Sequence, residues 1–348
     1  MSIPTPAFAA PSAGVIPQPT TIQRRDVGAH DVLIDIAFCG ICHTDIHQVH
    51  DDWGVGIFPM VPGHEIAGTV AQVGAEVRKF AVGDRVGVGC FVDSCGACEY
   101  CTAGEEQFCA RLVLTYSSLD HDGNPTDGGY SQRIVVSDRF VVAIPDALEL
   151  ADAAPLLCAG ITTYTPLERG EIAGKQVAIV GMGGLGHVGV QLAKAMGAEV
   201  TVISQTLSKR DDGLRLGASH YYASSDPRTF AELAGRFELI LNTVGASLEL
   251  DPYLTLLHAD GALVNVGIPP EQTSYTPMLL ALMRRSITGA NTGGIRDTQA
   301  MLDFCAEHGV RPWIEQIGAD GIADAYERIA ASRARYRVVI DAATFAQA

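Results

Sequence analysis

Four cysteines whose spacing suits metal binding lie within fifteen residues of one another: Cys95, Cys98, Cys101 and Cys109. Four thiolates so close in sequence can surround one tetrahedral Zn²⁺ ion. Disulfides would require an oxidising compartment, and iron–sulfur clusters usually show a different cysteine spacing. The run therefore predicts a closed, structural zinc site that shapes its lobe and performs no chemistry.

A glycine-rich turn between a predicted strand and a predicted helix could bind a dinucleotide. Its sequence is Gly181-Met182-Gly183-Gly184-Leu185-Gly186, a G-x-G-x-x-G motif. Gly181 permits the tight turn, Gly183 lets the backbone approach a pyrophosphate, and Gly186 lets the helix pack closely on the strand. In this context we interpret the motif as a coenzyme site more readily than as a structural turn.

The end of the next predicted strand indicates which dinucleotide binds. An NAD-preferring site places an acid there, for the ribose 2′-hydroxyl. This chain has Ser204 instead, followed by Ser208, Lys209 and Arg210, and no acid before Asp211. A hydroxyl followed by cations favours a 2′-phosphate, so we predict NADP(H). The alternative is that the two cations only decorate the exposed start of a helix.

A second set of possible metal ligands is scattered along the chain. Cys42, His64 with its neighbour Glu65, and Cys158 lie far apart in sequence. Two cysteines and a histidine with one open position form a known type of catalytic zinc site. Spacing alone cannot show that they converge, and each residue taken singly is more often part of a core.

Composition limits the classes of function. A chain of 348 residues predicts about two domains, and its net charge of −16 argues against nucleic-acid binding. Residues 1–19 lack the basic and apolar regions of a secretory signal, and no apolar run is long enough to span a bilayer. We therefore expect a cytoplasmic protein without a membrane partner.

The predicted elements change character near residue 150. Before it, short strands are predicted at 32–38, 66–73, 85–89 and 133–144, which is typical of an irregular, barrel-like β domain. After it, a helix at 150–159 is followed by strands that alternate with helices, an arrangement typical of a doubly wound parallel sheet. These strands are predicted at 176–180, 199–204, 238–243, 262–267 and 286–289. The remaining elements are helices at 298–308 and 322–332 and strands at 314–317 and 337–341.

The motifs together resemble those of zinc-dependent medium-chain alcohol dehydrogenases, within them the cinnamyl alcohol dehydrogenase-like branch. The matching segments are 40–47, 63–65, the four-cysteine lobe, 157–160, 181–186 and 335–339. The resemblance spans essentially the whole chain. It implies an α/β protein with a Rossmann domain at 154–290. It also implies a GroES-like catalytic domain at 1–153 and 291–348, with the structural-zinc lobe at about 90–112.

The resemblance also assigns roles to individual residues. It makes Cys42, His64 and Cys158 the ligands of a catalytic zinc, and Glu65 a neighbour that can enter the coordination sphere. Cys95, Cys98, Cys101 and Cys109 become the ligands of the structural zinc.

The remaining assignments concern the proton, the coenzyme and the substrate. The resemblance implies that Thr44 and His47 relay a proton and that His43 faces the coenzyme pyrophosphate. A hydroxyl and an imidazole suit such a relay. Trp53, Phe58 and Phe91 are candidates for the walls of an apolar substrate pocket, although aromatic residues more often fill a core.

The function that follows is interconversion of primary alcohols and aldehydes by hydride transfer with NADP(H), across a broad range of aromatic and aliphatic aldehydes. The resemblance further implies a homodimer. One alternative is a polyol or secondary-alcohol dehydrogenase on the same scaffold. Another is a reductase of activated C=C or C=N bonds. A non-catalytic nucleotide-sensing protein belongs to a different class. The physiological substrate and the favoured direction stay open.

Overall fold

The computed structural model describes residues 2–269 and 271–346. It contains two compact units. The first comprises Met1–Ile161 together with Gly293–Ala348, and the second comprises Thr162–Thr292. The carboxyl-terminal segment thus belongs to the same unit as the amino-terminal half.

Seventeen strands, numbered in chain order, form the sheets of the described residues. They are β1 (Ile3–Ala9), β2 (Gln18–Arg24), β3 (Asp31–Ile41), β4 (Ile66–Val73), β5 (Arg85–Val88), β6 (Phe91–Asp93), β7 (Val113–Leu114), β8 (Arg133–Ser137), β9 (Val142–Ala143), β10 (Gln176–Val180), β11 (Glu199–Ser204), β12 (His220–Ala223), β13 (Phe237–Asn242), β14 (Leu257–Asn265), β15 (Ser286–Gly289), β16 (Ile314–Ile317) and β17 (Arg337–Asp341).

Eleven α-helices connect these strands within the described residues. They are α1 (His43–His50), α2 (Glu99–Ala103), α3 (Leu150–Pro155), α4 (Ile161–Arg169), α5 (Gly186–Ala195), α6 (Arg210–Arg215), α7 (Arg228–Glu232), α8 (Leu250–Thr255), α9 (Pro277–Ala281), α10 (Ile295–His308) and α11 (Ile322–Ala330). A π-helical turn, Leu156–Gly160, follows α3. No helix in the described ranges combines the length and the hydropathy that crossing a bilayer requires.

The first unit is built on a seven-stranded sheet. Its strands follow the order β16-β17-β3-β4-β5-β9, and β8 also pairs with β3. The long strand β3 is antiparallel to its neighbours β4, β8 and β17. Apolar side chains such as Ile34, Ile66 and Phe140 are fully buried between this sheet and the surrounding segments, which is the main source of its stability.

The second unit is a six-stranded, entirely parallel sheet in the order β12-β11-β10-β13-β14-β15. Val177, Ala178 and Ile179 are all buried, as expected of a strand covered by helices on both faces. The strand order reverses between β10 and β13, which is where ligands bind in sheets of this type. The predicted doubly wound fold is confirmed.

Two sequence predictions of elements need correction. The segment 133–144 is not one strand, because the 3-10 turn Asp138–Phe140 separates β8 from β9. The amino-terminal hairpin of β1 and β2 was not predicted. Strand β1 carries Pro4 and Pro6, which lack an N–H donor and are confined to edge positions. Prolines of this kind obscure a strand pattern.

Candidate active site

The scattered ligands come together in the first unit. Candidate ligand atoms of Cys42, His64, Glu65 and Cys158 all lie within 4.8 Å of one another. The sulfur atoms of Cys42 and Cys158 are 3.9 Å apart, and His64 Nε2 lies 3.3 Å from Cys158 Sγ. Two sulfurs and one imidazole nitrogen therefore face a common point, as a tetrahedral metal ion requires.

Each ligand is positioned by a local feature of the chain. Cys42 is the N-cap of α1, and its N–H donates to Asp45 Oδ2 at 2.8 Å. His64 follows Gly63, whose φ of +103° belongs to the left-handed region that favours glycine. Cys158 lies in the π-helical turn, and a Cβ at Gly89 would meet the carbonyl oxygen of Leu157 at 2.9 Å. The end of β5 is thus packed directly against that turn.

The sulfur atoms of Cys42 and Cys158 are hydrogen-bonded, and either of them can be the donor. The hydrogen bond with Cys158 lowers the pKa of Cys42 well below its usual value. The same bond raises the pKa of Cys158, and a hydrogen bond with Cys90 acts in the same direction. One thiolate is therefore already stabilised in this buried group, and thiolates are the form that binds zinc.

A buried carboxylate orients His64. Asp45 Oδ1 lies 3.2 Å from His64 Nδ1, and Asp45 is fully buried. Burial alone would lower the pKa of His64, but Asp45 more than offsets this and raises it well above its usual value. The ring of Tyr116 stacks on the imidazole at 5.8 Å between centroids. This arrangement directs Nε2 to the cysteines, in the manner of ligand histidines in zinc proteins.

Glu65 forms a buried ion pair with Arg337, which comes from β17 at the other end of the chain. Burial alone would lower the pKa of Arg337, but the carboxylate raises it above its usual value. Within the described residues, Glu65 Oε2 has no hydrogen-bond partner. A Cβ at Gly40 would lie 2.0 Å from that oxygen, so only glycine leaves room for it. Glu65 belongs to the group of candidate ligands, and a buried carboxylate oxygen without a partner suits a metal.

The predicted relay residues lie on α1, close to the ligand group. Thr44 Oγ1 is 3.5 Å from Cys42 Sγ. His47 is partly exposed, and its Nδ1 lies 2.6 Å from Asp52 Oδ2. An aspartate at that distance orients an imidazole and selects its tautomer. The ring of His43, an exposed residue, is 6.0 Å from that of His47.

The three aromatic candidates for the substrate pocket occupy different surroundings. Trp53 is 38 % exposed and lies 5.3 Å from the ring of His47. Phe58 is partly buried and packs against the core of the unit. Phe91 is buried within that core, edge-on to Phe140 at 6.0 Å. The position of Phe91 favours a packing role, whereas Trp53 lies beside His47, one of the two predicted relay residues.

The four-cysteine lobe forms a second compact group of ligands. The sulfur atoms of Cys95, Cys98, Cys101 and Cys109 lie within 4.8 Å of one another. Backbone N–H groups of Ala97 and Cys98 lower the pKa of Cys95 to about 6, which favours the thiolate. The donor set contains sulfur alone, as in closed structural zinc sites.

The glycine-rich turn lies at the carboxyl end of β10 in the second unit. Gly181 has a φ of +94°, and a Cβ at Gly186 would lie 2.1 Å from the carbonyl oxygen of Gly181. A Cβ at Gly183 would meet no described atom within 4 Å. Gly181 is therefore required by the turn and Gly186 by the close contact. Gly183 leaves open space over the backbone, where a phosphate could approach.

The residues after β11 surround the same turn. Lys209 Nζ donates to the carbonyl oxygen of Met182 at 2.9 Å, which brings the ammonium group to the glycine-rich turn. Thr206 caps the following 3-10 turn and its hydroxyl lies 2.9 Å from that of Ser208. Ser204 is the last residue of β11. Between Ser204 and Arg210 the chain thus carries hydroxyls and two cations and no carboxylate.

Comparison with known proteins agrees with this geometry. Residues 28–146 match the family model for the alcohol dehydrogenase GroES-like domain, and residues 184–307 match the model for zinc-binding dehydrogenases. The chain is 63 % identical over 327 residues to a probable formaldehyde dehydrogenase, AdhA, of Bacillus subtilis, covering 93 % of this chain and 94 % of that protein. The chain belongs to the zinc-binding alcohol dehydrogenase family.

Other alcohol dehydrogenases of this family are similar over nearly their whole length. The NADP-dependent alcohol dehydrogenase C of Mycobacterium tuberculosis is 59 % identical over 337 residues, which cover 96 % of this chain and 97 % of that protein. Among solved structures, a cinnamyl alcohol dehydrogenase from Sorghum bicolor is similar with a TM-score of 0.96 at 43 % identity, covering 98 % of both chains. That from Helicobacter pylori, complexed with NADP(H), gives a TM-score of 0.93 at 42 % identity and 99 % coverage of both chains.

The structure of this alcohol dehydrogenase adds residues that sequence reasoning missed. Asp45 and Arg337 enter the sequence analysis only as members of the matching segments 40–47 and 335–339, and Asp52 has no assignment there. A signal for Asp45 exists, because it stands three residues after Cys42 at the start of a helix, where acids accept backbone N–H groups. Arg337 gives no comparable signal, since its partner Glu65 becomes a neighbour only in the folded chain. Asp52 lies only five residues after His47, but that spacing does not by itself indicate a contact.

Proposed function

We propose that this alcohol dehydrogenase interconverts primary alcohols and aldehydes by hydride transfer with NADP(H), on a broad range of aromatic and aliphatic substrates. The observation that carries the proposal is the convergence of Cys42, His64 and Cys158, with one imidazole and two sulfurs facing one point. Relatives named NADP-dependent alcohol dehydrogenase and cinnamyl alcohol dehydrogenase support the same reaction class.

The chemistry of the donor set fits a catalytic zinc. Cys42, His64 and Cys158 would hold the ion, which supplies Lewis acidity at the substrate oxygen. Glu65 is held beside them by Arg337 and keeps one buried oxygen available to the site. Cys95, Cys98, Cys101 and Cys109 would hold the structural zinc.

The relay residues move the proton that accompanies hydride transfer. We propose that the Thr44 hydroxyl exchanges a proton with the substrate oxygen and that His47 carries it towards solvent, since His47 is partly exposed. Asp52 fixes the imidazole through its 2.6 Å contact with Nδ1. A histidine suits this task because its charge changes near neutral pH.

The second unit would bind the coenzyme, and the first would carry the catalytic and structural zinc sites. The turn formed by Gly181, Gly183, Gly184, Leu185 and Gly186 would receive the pyrophosphate. Ser204, Ser208, Lys209 and Arg210 would receive the 2′-phosphate, because their hydroxyls and cations complement its charge. Trp53 and Phe58 would line the substrate pocket, while Phe91 supports them from the core.

We further propose that the protein is a homodimer. Strand β15 lies at the edge of the parallel sheet, and the preceding segment exposes apolar side chains. Ile268 is 58 %, Met278 60 % and Leu282 70 % exposed. An open edge flanked by apolar residues favours pairing with a second copy. All nine cysteines are free, and eight of them lie in the two ligand groups or are buried, as expected of a protein in a reducing cytoplasm.

The test combines metal analysis with a coenzyme assay on the full chain. We expect two zinc ions per chain, one for each ligand group, and oxidation of NADPH on a panel of aromatic and aliphatic aldehydes. Faster turnover of polyols or secondary alcohols would favour the related dehydrogenase, and turnover of activated C=C or C=N compounds would favour the reductase. Two bound zinc ions without turnover of any substrate would contradict the proposal and favour a nucleotide sensor.

A further inference from the structure

Two buried tyrosines extend the contact between Asp45 and His64. The hydroxyl of Tyr130 donates to Asp45 Oδ2 at 3.4 Å, and the hydroxyl of Tyr326 donates to that of Tyr130 at 3.3 Å. Tyr130 and Asp45 are 0 % exposed and Tyr326 is 2 % exposed. A line of buried hydroxyls therefore ends at the carboxylate that orients a ligand histidine.

The carboxylate of Asp45 is surrounded by donors on both oxygens. Oδ1 faces His64 Nδ1 at 3.2 Å and accepts from the N–H of Gly63 at 3.3 Å. Oδ2 accepts from the N–H of Cys42 at 2.8 Å and from Tyr130. A buried carboxylate is unfavourable unless donors stabilise its charge. Tyr130 is thus part of what keeps Asp45 in place and able to accept from His64.

Tyr326 acts on Asp45 through Tyr130. It comes from α11, and the two aromatic rings pack edge-to-face at 6.5 Å. Burial raises the pKa of both tyrosines well above the usual value, so both hydroxyls stay protonated. A hydroxyl that accepts a hydrogen bond becomes a stronger donor. The contact from Tyr326 therefore strengthens the bond from Tyr130 to Asp45.

We propose that Tyr130 and Tyr326 are positioning residues of the metal site, which hold Asp45, and through it His64, in the orientation that binds the ion. This inference rests on the zinc site of the proposed function. Both contacts are longer than the typical O–H···O distance of about 2.7–2.8 Å, so each is a modest bond. Residues that touch a metal ligand directly change the metal affinity about tenfold to a hundredfold. For the more distant Tyr130 and Tyr326 we expect the metal affinity to change about threefold to tenfold.

The experiment measures zinc release to a colorimetric chelator from the full-length wild-type protein and its Tyr130→Phe, Tyr326→Phe and double variants. Phenylalanine keeps the ring and removes only the hydroxyl. We expect release from the Cys42 group to accelerate about threefold to tenfold in Tyr130→Phe, with release from the four-cysteine lobe unchanged. A Cys158→Ser variant identifies which phase belongs to which site. Tyr326→Phe alone should act in the same direction and add nothing in the Tyr130→Phe background, because its effect passes through Tyr130.

A matched control is Tyr253→Phe, since Tyr253 is a buried tyrosine of the second unit, edge-on to Phe230 at 5.2 Å. The absorption bands of the cobalt(II)-loaded protein provide a second readout, which we expect to shift in Tyr130→Phe and not in the control. Unchanged release in both tyrosine variants would overturn the inference. Equal acceleration of both phases, or additive effects in the double variant, would also overturn it. A wild-type protein that binds zinc only in the lobe would instead contradict the proposed function itself.

Discussion

At the scale of single residues, the site depends on side chains whose neighbours change their ordinary chemistry. The hydrogen bond with Cys158 lowers the pKa of Cys42 well below its usual value, which favours the thiolate. Asp45 is stable in a fully buried position because donors surround it. These properties follow from where the two residues lie in the folded chain. Ordinary cysteine and aspartate side chains are therefore enough to form the site.

The first prediction concerns Cys158→Ser. A serine hydroxyl binds zinc far less well than a thiolate, so we expect one zinc ion to be lost, the lobe zinc to stay, and kcat to fall at least about a thousandfold. Zinc analysis and the NADPH assay measure both effects. The control is Cys305→Ala, since Cys305 is a buried cysteine that contacts Met301. Wild-type turnover by Cys158→Ser would remove this residue from the active site.

The second prediction concerns Ser204→Asp. The new carboxylate would repel a 2′-phosphate and accept from a ribose hydroxyl. We expect the ratio of kcat/KM for NADPH over NADH to fall about tenfold to a hundredfold, the equivalent of losing one hydrogen bond to a charged group, ~1.5–3 kcal/mol. Ser219→Asp adds the same charge just before β12, at the opposite end of the sheet, and should leave the ratio unchanged. An unaltered ratio in Ser204→Asp would show that the strand end is not the coenzyme discriminator.

At the scale of elements, the close contact between Gly181 and Gly186 joins the glycine-rich turn to α5 and leaves no space for a side chain at position 186. The backbone carbonyl of Gly181 stands 2.1 Å from where a Cβ of Gly186 would be. Backbone cannot move aside as a flexible side chain can, so any larger residue must displace the helix from the strand. The start of α5 is also the expected phosphate site.

The third prediction is that Gly186→Ala weakens NADPH binding at least about tenfold, because displacing α5 costs packing energy of about 1–3 kcal/mol. Fluorescence titration with NADPH measures it, and zinc content should not change. Gly189→Ala is the matched control on the same helix, since its Cβ would make an ordinary contact at 3.6 Å. If Gly186→Ala bound NADPH as tightly as Gly189→Ala, the close contact would not matter for the coenzyme.

Strands could be predicted from the sequence where the pattern of apolar residues matched their burial in the folded protein. Strands β4, β11, β15 and β17 have the bounds that their apolar patterns predict. The prediction of a single strand at 133–144 was wrong because the polar residues 137–139 in its middle belong to the 3-10 turn Asp138–Phe140. The apolar residues on either side of the turn are buried, so a pattern of apolar residues indicates burial and does not exclude a turn.

The parts of the candidate site that could be predicted from the sequence are those whose residues lie close together in the chain. The four-cysteine lobe is visible in the spacing alone. The group of Cys42, His64 and Cys158 was found only through resemblance to a family, because its members are far apart in the chain. Arg337 pairs with Glu65 across 272 positions, and no pattern in the sequence connects them. Such contacts are decided by how the sheet of the first unit assembles.

At the scale of the whole molecule, we expect a second copy of the chain to cover the exposed apolar residues near β15. The fourth prediction is that Leu282→Glu, which places a charge on a side chain that is 70 % exposed, converts the proposed dimer into a monomer. Sedimentation or light scattering measures the mass. Val82→Glu is the control, since Val82 is 65 % exposed and lies in the other unit. An undisturbed dimer in Leu282→Glu would place the interface elsewhere.

The distribution of the two ligand groups along the chain has a consequence for biosynthesis. The lobe is complete once fifteen consecutive residues have been made, whereas Cys42 must wait for a partner 116 positions later and Glu65 for a partner 272 positions later. A nascent polypeptide can therefore load its first metal before the residues that complete the second site have been made. Cells grown with scarce zinc are expected to accumulate half-loaded, inactive enzyme with an intact lobe.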